Sequence, residues 1–197
     1  MTRWEPNARG RLEQAAMELY GERGFDETTV AQIAQRAGLT ERTFFRHFAD
    51  KREILFAGGG ELQERVVSAV ASAPDSATPL QAATAGIEAA GAMLEQRRGR
   101  SFARRRQNII AASPELRERE LHKLAGMAEG VAAALRERGV EGPGASVLGE
   151  TAIAIFRVSF EQWVAGPRGP GLIELMRDSL SQLLELTAAQ PLAGAGR

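Results

Sequence analysis

The run Ala37-Gly38-Leu39-Thr40 constrains this chain more than any other four residues. Glycine takes a left-handed backbone without steric cost and so ends helices. Threonine accepts from the free N–H groups of a helix start. A stop and a start this close leave room for one tight turn between two helices. Upstream, Thr29 and Gln32 form a capping-box pattern, and Val30, Ile33, Ala34 and Ala37 then recur at helical spacing on one face. Downstream, Glu41 to Phe48 forms the second helix. A short helix, a turn containing glycine and a second helix are the layout of a DNA-reading helix-turn-helix. The second helix carries Arg42, Thr43, Arg46 and His47, whose donors suit base edges and phosphates. Standing alone, the pattern also fits a tight hairpin inside any all-helical protein.

The flanks narrow that choice. Leu12, Ala15, Ala16, Leu19 and Tyr20 make an apolar stripe, and Gly24-Phe25 ends that helix. Asp50-Lys51-Arg52-Glu53 reads as an N-cap with Glu at its third helical position. Three helices followed by a long one are expected to bury a small core of Leu12, Ala16, Leu19, Phe25, Ile33, Ala34, Leu39, Phe44 and Phe48.

From Gly21 to Leu55, GERGFDETTVAQIAQRAGLTERTFFRHFADKREIL, the chain resembles the tetracycline-repressor (TetR) family. The family pattern falls on Gly24-Phe25, Thr29, Ile33-Ala34, Ala37-Gly38-Leu39-Thr40, Thr43, Phe44-Phe45, Phe48 and Lys51. That resemblance implies DNA contacts from Thr29, Arg42, Thr43, Phe45, Arg46, His47 and Lys51, with Thr43 and Lys51 on phosphates. Two positions depart from the pattern. Arg42 stands where glycine is frequent, and Phe45 where tyrosine is frequent. The family's tyrosine can donate to a phosphate. Phe45 cannot, and an apolar contact, such as one to a thymine methyl, remains.

Charge alone argues for no nucleic-acid footprint. The formal net charge is zero, and residues 1 to 56 hold nine Arg and Lys against nine Asp and Glu. Arg42, Arg46, Lys51 and Arg52 are the cations expected to form a local patch. No cysteine is present, which excludes disulfides, thiolate nucleophiles and Cys-ligated metals. No apolar run reaches 18 residues and no signal peptide opens the chain, so a cytoplasmic location is expected. Abundant Arg, Ala and Gly with only Lys51 and Lys123 suggest a GC-rich, actinobacterial source.

Beyond Phe48 the pattern reads as helices to the end, giving an all-α chain of about nine helices. Residues 1–50 are expected to form the DNA-binding domain, 51–190 an effector-binding and dimerisation domain, and 191–197 a disordered tail. Asp50 to about Ala73 reads as one linker helix, made compliant by Gly58-Gly59-Gly60. Thr78-Pro79-Leu80-Gln81 is a strong helix start. Arg97 to Arg106 holds six Arg in ten residues, a solvated helix start, a second DNA contact or the mouth of an anion site. Val147 to Val164 is apolar nearly all round, and Leu172 to Leu186 carries a leucine-rich stripe. Such surplus needs a partner surface. Ile155, Val158, Leu172, Leu175, Met176, Leu180 and Leu183 are therefore candidates for a homodimer interface. The TetR resemblance implies the same: a four-helix bundle from the last two helices of two copies.

The resemblance also implies an effector site in the rear helices. Met93, Phe102, Leu124, Met127, Phe156 and Phe160 are candidate apolar walls, with Arg104 and Asn108 as polar groups. The expected effector is a small lipophilic molecule. The Thr43-Phe44-Phe45-Arg46 form resembles actinobacterial members that respond to acyl-coenzyme A, and the Arg cluster suits its phosphates. The expected partners are double-stranded operator DNA, that effector and a second copy, with no membrane, cofactor or metal. An enzyme is disfavoured. His47 and His122 are the only histidines, and no phosphate loop, HExxH motif or paired catalytic carboxylate marks a catalytic site. A helical ligand-binding or scaffold protein without sequence-specific DNA binding is the alternative.

Overall fold

The computed structural model describes residues 7–97 and 99–188. The tail expected from residue 191, and Arg98 of the basic run, lie outside the described residues. Among the described residues there are ten helices and no strand. They are α1 (Ala8–Arg23), α2 (Val30–Arg36), α3 (Glu41–His47), α4 (Glu53–Phe56), α5 (Gly59–Ala71), α6 (Pro79–Arg97), α7 (Gly99–Ala112), α8 (Pro114–Glu137), α9 (Gly144–Ala165) and α10 (Leu172–Ala188).

The chain forms two compact units. The first takes the described residues up to Gly60 together with Phe102–Lys123; the second takes Glu61–Ser101 and the chain from Leu124 on. The first unit thus extends past the boundary at residue 50 drawn from the sequence. Its core holds Leu12, Ala16, Leu19, Phe25, Ile33, Phe44 and Phe48, and also Ile54, Leu55, Ile109, Ile110 and Leu116. Leu39 packs against this core while only partly buried.

Local chemistry sets the helix ends. At α2, Thr29 Oγ1 accepts from the Gln32 N–H at 3.2 Å, and Gln32 Oε1 accepts from the Thr29 N–H at 3.0 Å. Gly38 follows with φ +65°, the left-handed region. Thr40 caps α3 by accepting from the Thr43 N–H at 3.2 Å. The same reciprocal box opens α6, where Thr78 and Gln81 bond each other at 2.8 and 3.2 Å.

The single linker helix expected from Asp50 to Ala73 is two helices. Gly58 has φ +87°, which an α-helix cannot contain, and the chain breaks between Phe56 and Gly59. Gly59 and Gly60 open α5 instead.

In the second unit, small residues bring helices close. A Cβ at Gly149 of α9 would stand 2.4 Å from the Ala128 carbonyl oxygen of α8, so their backbones nearly touch. A Cβ at Gly86 of α6 would stand 2.7 Å from Val70 Cγ2 of α5. Bulkier side chains collect along α9, where Phe156 and Phe160 stack with centroids 5.9 Å apart and Trp163 lies 5.9 Å beyond.

Candidate nucleic-acid interface

The core of the first unit fixes which way α3 faces. Phe44 and Phe48 are fully buried, so Arg42, Phe45 and Arg46 stand on the opposite, solvent side. Neither Arg42 nor Arg46 makes an ion pair with another described residue. Other cations nearby are committed. Arg36 of α2 bonds Glu22 at 2.8 and 3.0 Å and reaches Glu18 at 3.4 Å. Arg52 is held by Asp50 at 2.7 Å and also pairs with Glu115. Arg11 donates to the Ala37 carbonyl at the end of α2. A chain of zero formal net charge can therefore present two unpaired guanidiniums on one short helix.

The remaining expected contacts divide. Thr29 is exposed at the α2 start, and its hydroxyl proton stays available while its oxygen accepts from Gln32. Thr43 is half-buried, with Oγ1 3.1 Å from Thr40 Oγ1. His47 is half-buried, and its Nε2 is shut off from solvent without a hydrogen-bond partner, so that nitrogen is not offered to DNA.

Lys51 is a correction. The resemblance implies a phosphate contact, whereas Nζ donates to the carbonyls of Phe25, Thr28 and Asp26 at 2.8, 2.8 and 3.1 Å. It also lies 4.4 Å from the Phe25 ring centroid. An ammonium has three N–H groups, and all three are used. Lys51 clamps the turn that delivers Thr29 to α2. Its own carbonyl accepts from Tyr20 Oη at 2.6 Å, and burial, with the Asp50 charge, pushes the Tyr20 phenol well above its ordinary range.

A second fixture, centred on Arg106, has no signature in the sequence. Its Nη1 and Nη2 hold Glu120 at 3.2 and 2.7 Å, and its Nε donates to the Leu55 carbonyl at the end of α4 at 2.7 Å. Burial alone would raise the Glu120 carboxyl. Arg106, by charge and hydrogen bond, and Lys123 outweigh it and hold the group below its ordinary range. Arg106 and Arg119 flank the Phe56 ring at 5.3 and 4.9 Å. The basic run is thus mostly structural. Arg97 pairs with Glu61 at 2.8 Å, and Arg100 donates to the carbonyls of Gly169 and Pro170 and lies over Trp163.

The eight candidate effector residues do not share one unit. Phe102 packs against the first unit's core, and Arg104 and Asn108 belong to that unit as well. Met93, Leu124, Met127, Phe156 and Phe160 lie in the second. The candidate dimer residues also divide. Ile155, Leu172 and Met176 are buried within their own unit at 7, 0 and 1 % exposure, so they are core rather than surface. Met176 packs at Gly91 of α6. Val158 is 41 % exposed, and Leu175, Leu180 and Leu183 are partly exposed. Among the described residues of α9 and α10, the strongly exposed large apolar side chains are Val147, Val158, Leu184 and Leu186, of which Val158 was a candidate. Nor is α9 apolar all round: Glu150, Arg157 and Glu161 share its exposed face. No described helix is long and apolar enough to cross a membrane.

Comparison with known proteins agrees with this geometry. The family model described as bacterial regulatory proteins, tetR family, matches residues 13–57. The model described as the MftR C-terminal domain matches residues 77–188, more than half of the chain. The HTH-type transcriptional regulator TcmR of Streptomyces glaucescens is 37 % identical over 81 residues, which are 41 % of this chain and 36 % of that one. The match thus spans about a third of that relative's length. Among solved structures, Thermus thermophilus FadR in complex with lauroyl-CoA aligns at TM-score 0.57 and 24 % identity, covering 96 % of this chain and 100 % of that one. Bacillus subtilis FadR in complex with stearoyl-CoA aligns at TM-score 0.64 and 22 % identity, covering 88 and 96 %. At these identities the structures share the fold with this chain.

Proposed function

This chain belongs to the tetR family of bacterial regulatory proteins, and from that premise we propose that it is a dimeric repressor released from its operator by a lipophilic effector. Its class follows from the family: a DNA-binding transcriptional regulator, not an enzyme. The observation that carries the reading is the outward face of α3, with Arg42 and Arg46 unpaired while Arg36, Lys51 and Arg52 are committed within the unit. One seven-residue helix reads few base pairs. A twofold dimer presents two such helices to half-sites about 34–36 Å apart and reads a palindrome. The exposed apolar side chains of α9 and α10 supply a surface for that dimer.

Release follows from linkage. DNA favours one separation of the two α3 helices. An effector that binds another separation better weakens DNA binding by that difference in affinity and no more. The two FadR structures were solved with acyl-CoA molecules. That supports a long-chain acyl thioester as effector here, with its chain among Met93, Met127, Phe156 and Phe160. The commitment of Arg97, Arg100 and Arg106 to internal partners leaves less of the basic run for its phosphates.

Selection of bound sequences from a random DNA pool by the full chain tests the DNA reading. An enriched inverted repeat, with affinity falling steeply as salt rises, is the expected result. Salt-independent retention with no enriched sequence would replace it with a helical ligand-binding protein that ignores DNA. Titrating the selected complex with lauroyl-CoA and stearoyl-CoA tests the effector class; a complex that survives both removes acyl-CoA.

A further inference from the structure

We infer that Phe45 reads the 5-methyl group of a thymine in each operator half-site. The inference rests on α3 being the DNA-reading helix. Among the described residues of the first unit, two large apolar side chains are strongly exposed, Phe45 at 56 % and Leu121 at 63 %. Leu121 stands on α8, away from the candidate DNA-reading helix in the chain. Phe45 stands three residues after Arg42 and one before Arg46, on the same outward side of α3. The fold does not need it there. Phe44 and Phe48 already fill the core, at 0 and 1 % exposure.

The ring is also not loose. It meets Phe44 edge to face, with centroids 5.4 Å apart and planes at 80°. Phe44 is itself held by the core and by Phe48 at 5.7 Å. The direction of the exposed ring is therefore set by buried neighbours, which is the condition for a side chain to discriminate.

The chemistry leaves it one kind of partner. A phenyl ring has no donor for a phosphate and would only strip water from one. The base edges of the major groove are hydrogen-bonding groups except for the thymine methyl. Covering that methyl removes apolar surface from water on both sides. Arg42 precedes the ring by one helical turn, and Arg46 follows it directly in the chain. Cβ atoms one turn apart on a helix lie about 5–6 Å from each other. With base pairs about 3.4 Å apart, the thymine falls within about two base pairs of the groups those arginines touch.

The test begins with the operator enriched from the random pool by the full chain. Each thymine is replaced in turn by deoxyuridine, which removes only the methyl. One thymine per half-site is expected to lower the affinity of the unaltered protein about fourfold, and the symmetric pair about fifteenfold. 5-Bromodeoxyuridine, with an apolar bromine of methyl size, should restore the affinity. A folded Phe45→Ala variant should bind the thymine and deoxyuridine operators alike. The inference fails if no thymine is sensitive, or if the sensitivity survives in Phe45→Ala. The first of these outcomes needs no variant, so an unfolded Phe45→Ala protein does not shelter the inference. An absence of any enriched sequence would instead remove the DNA reading itself, and this inference with it.

Discussion

Replacing Lys51 by methionine keeps the length of the side chain and removes its charge and its three donors. In the structure those donors bond three carbonyls, and the ammonium lies 4.4 Å from the Phe25 ring centroid. Asp26 is exposed and its carbonyl can turn to water, whereas Phe25 and Thr28 are buried residues. The Phe25 carbonyl keeps the Thr28 N–H at 3.3 Å, so the Thr28 carbonyl is the sheltered group that loses its donor, at about 1–3 kcal/mol. For a chain of this size that lowers the melting temperature by about 2–12 °C. The affected turn leads into Thr29, the N-cap of α2. DNA binding should therefore weaken on operator and random DNA alike near the melt, while the salt dependence of the folded protein keeps its slope. A lysine on a phosphate would behave in the opposite way, with an unchanged melt and a slope lower by about one unit per subunit. Circular-dichroism melts beside a salt titration of operator affinity separate the two. An unchanged melt with a shallower slope would refute the clamp.

The Arg106–Glu120 pair makes stability depend on acid. Glu120 is held below its ordinary range when folded, so its contribution is present above about pH 4.3, the unfolded value, and is lost as pH falls through the folded one. Melts of Glu120→Gln should accordingly lie below those of the unaltered protein at neutral pH and converge with them as pH falls through the folded Glu120 value; parallel curves would contradict this. The glycines of the linker should respond with opposite signs. Gly58→Ala forces a Cβ into φ +87° and should cost about 1–2 kcal/mol. Gly60→Ala lies in α5 with open space around it and should gain about 0.8–1 kcal/mol; equal effects in urea unfolding would mean that the break is not where it is described. Val158→Glu with Leu184→Glu should give folded monomers by light scattering, whereas Met176→Glu should unfold the second unit. An unaltered dimer in the first double variant would move the interface elsewhere.

Short-range chemistry was legible in the sequence. The capping boxes at Thr29 and Thr78, the turn at Gly38 and the apolar spacing of α1 to α3 are each written within a few residues, and the structure shows each of them. What was not legible depends on partners distant in the chain. Lys51 looks like a free surface cation until the turn at Phe25 to Thr28 folds under it. Arg106 finds Glu120 fourteen positions on and the Leu55 carbonyl 51 positions back, and neither spacing has a sequence signature. The linker break is illegible in the sequence for a different reason. Three adjacent glycines weaken a helix wherever they lie, but only the observed φ shows that Gly58 leaves it. Ile155, Leu172 and Met176 show a further ambiguity. An apolar stripe records that a face is covered, not whether α6 of the same chain or a second copy covers it.

The role of α3 is tested most directly by competing the enriched operator against random DNA for Arg42→Ala and Arg46→Ala. If these two guanidiniums read bases, each variant loses about 1–3 kcal/mol of preference for the operator per lost base contact and keeps its affinity for random DNA far better. If both variants instead lose the same affinity on operator and random DNA, α3 grips the backbone only and sequence is read elsewhere.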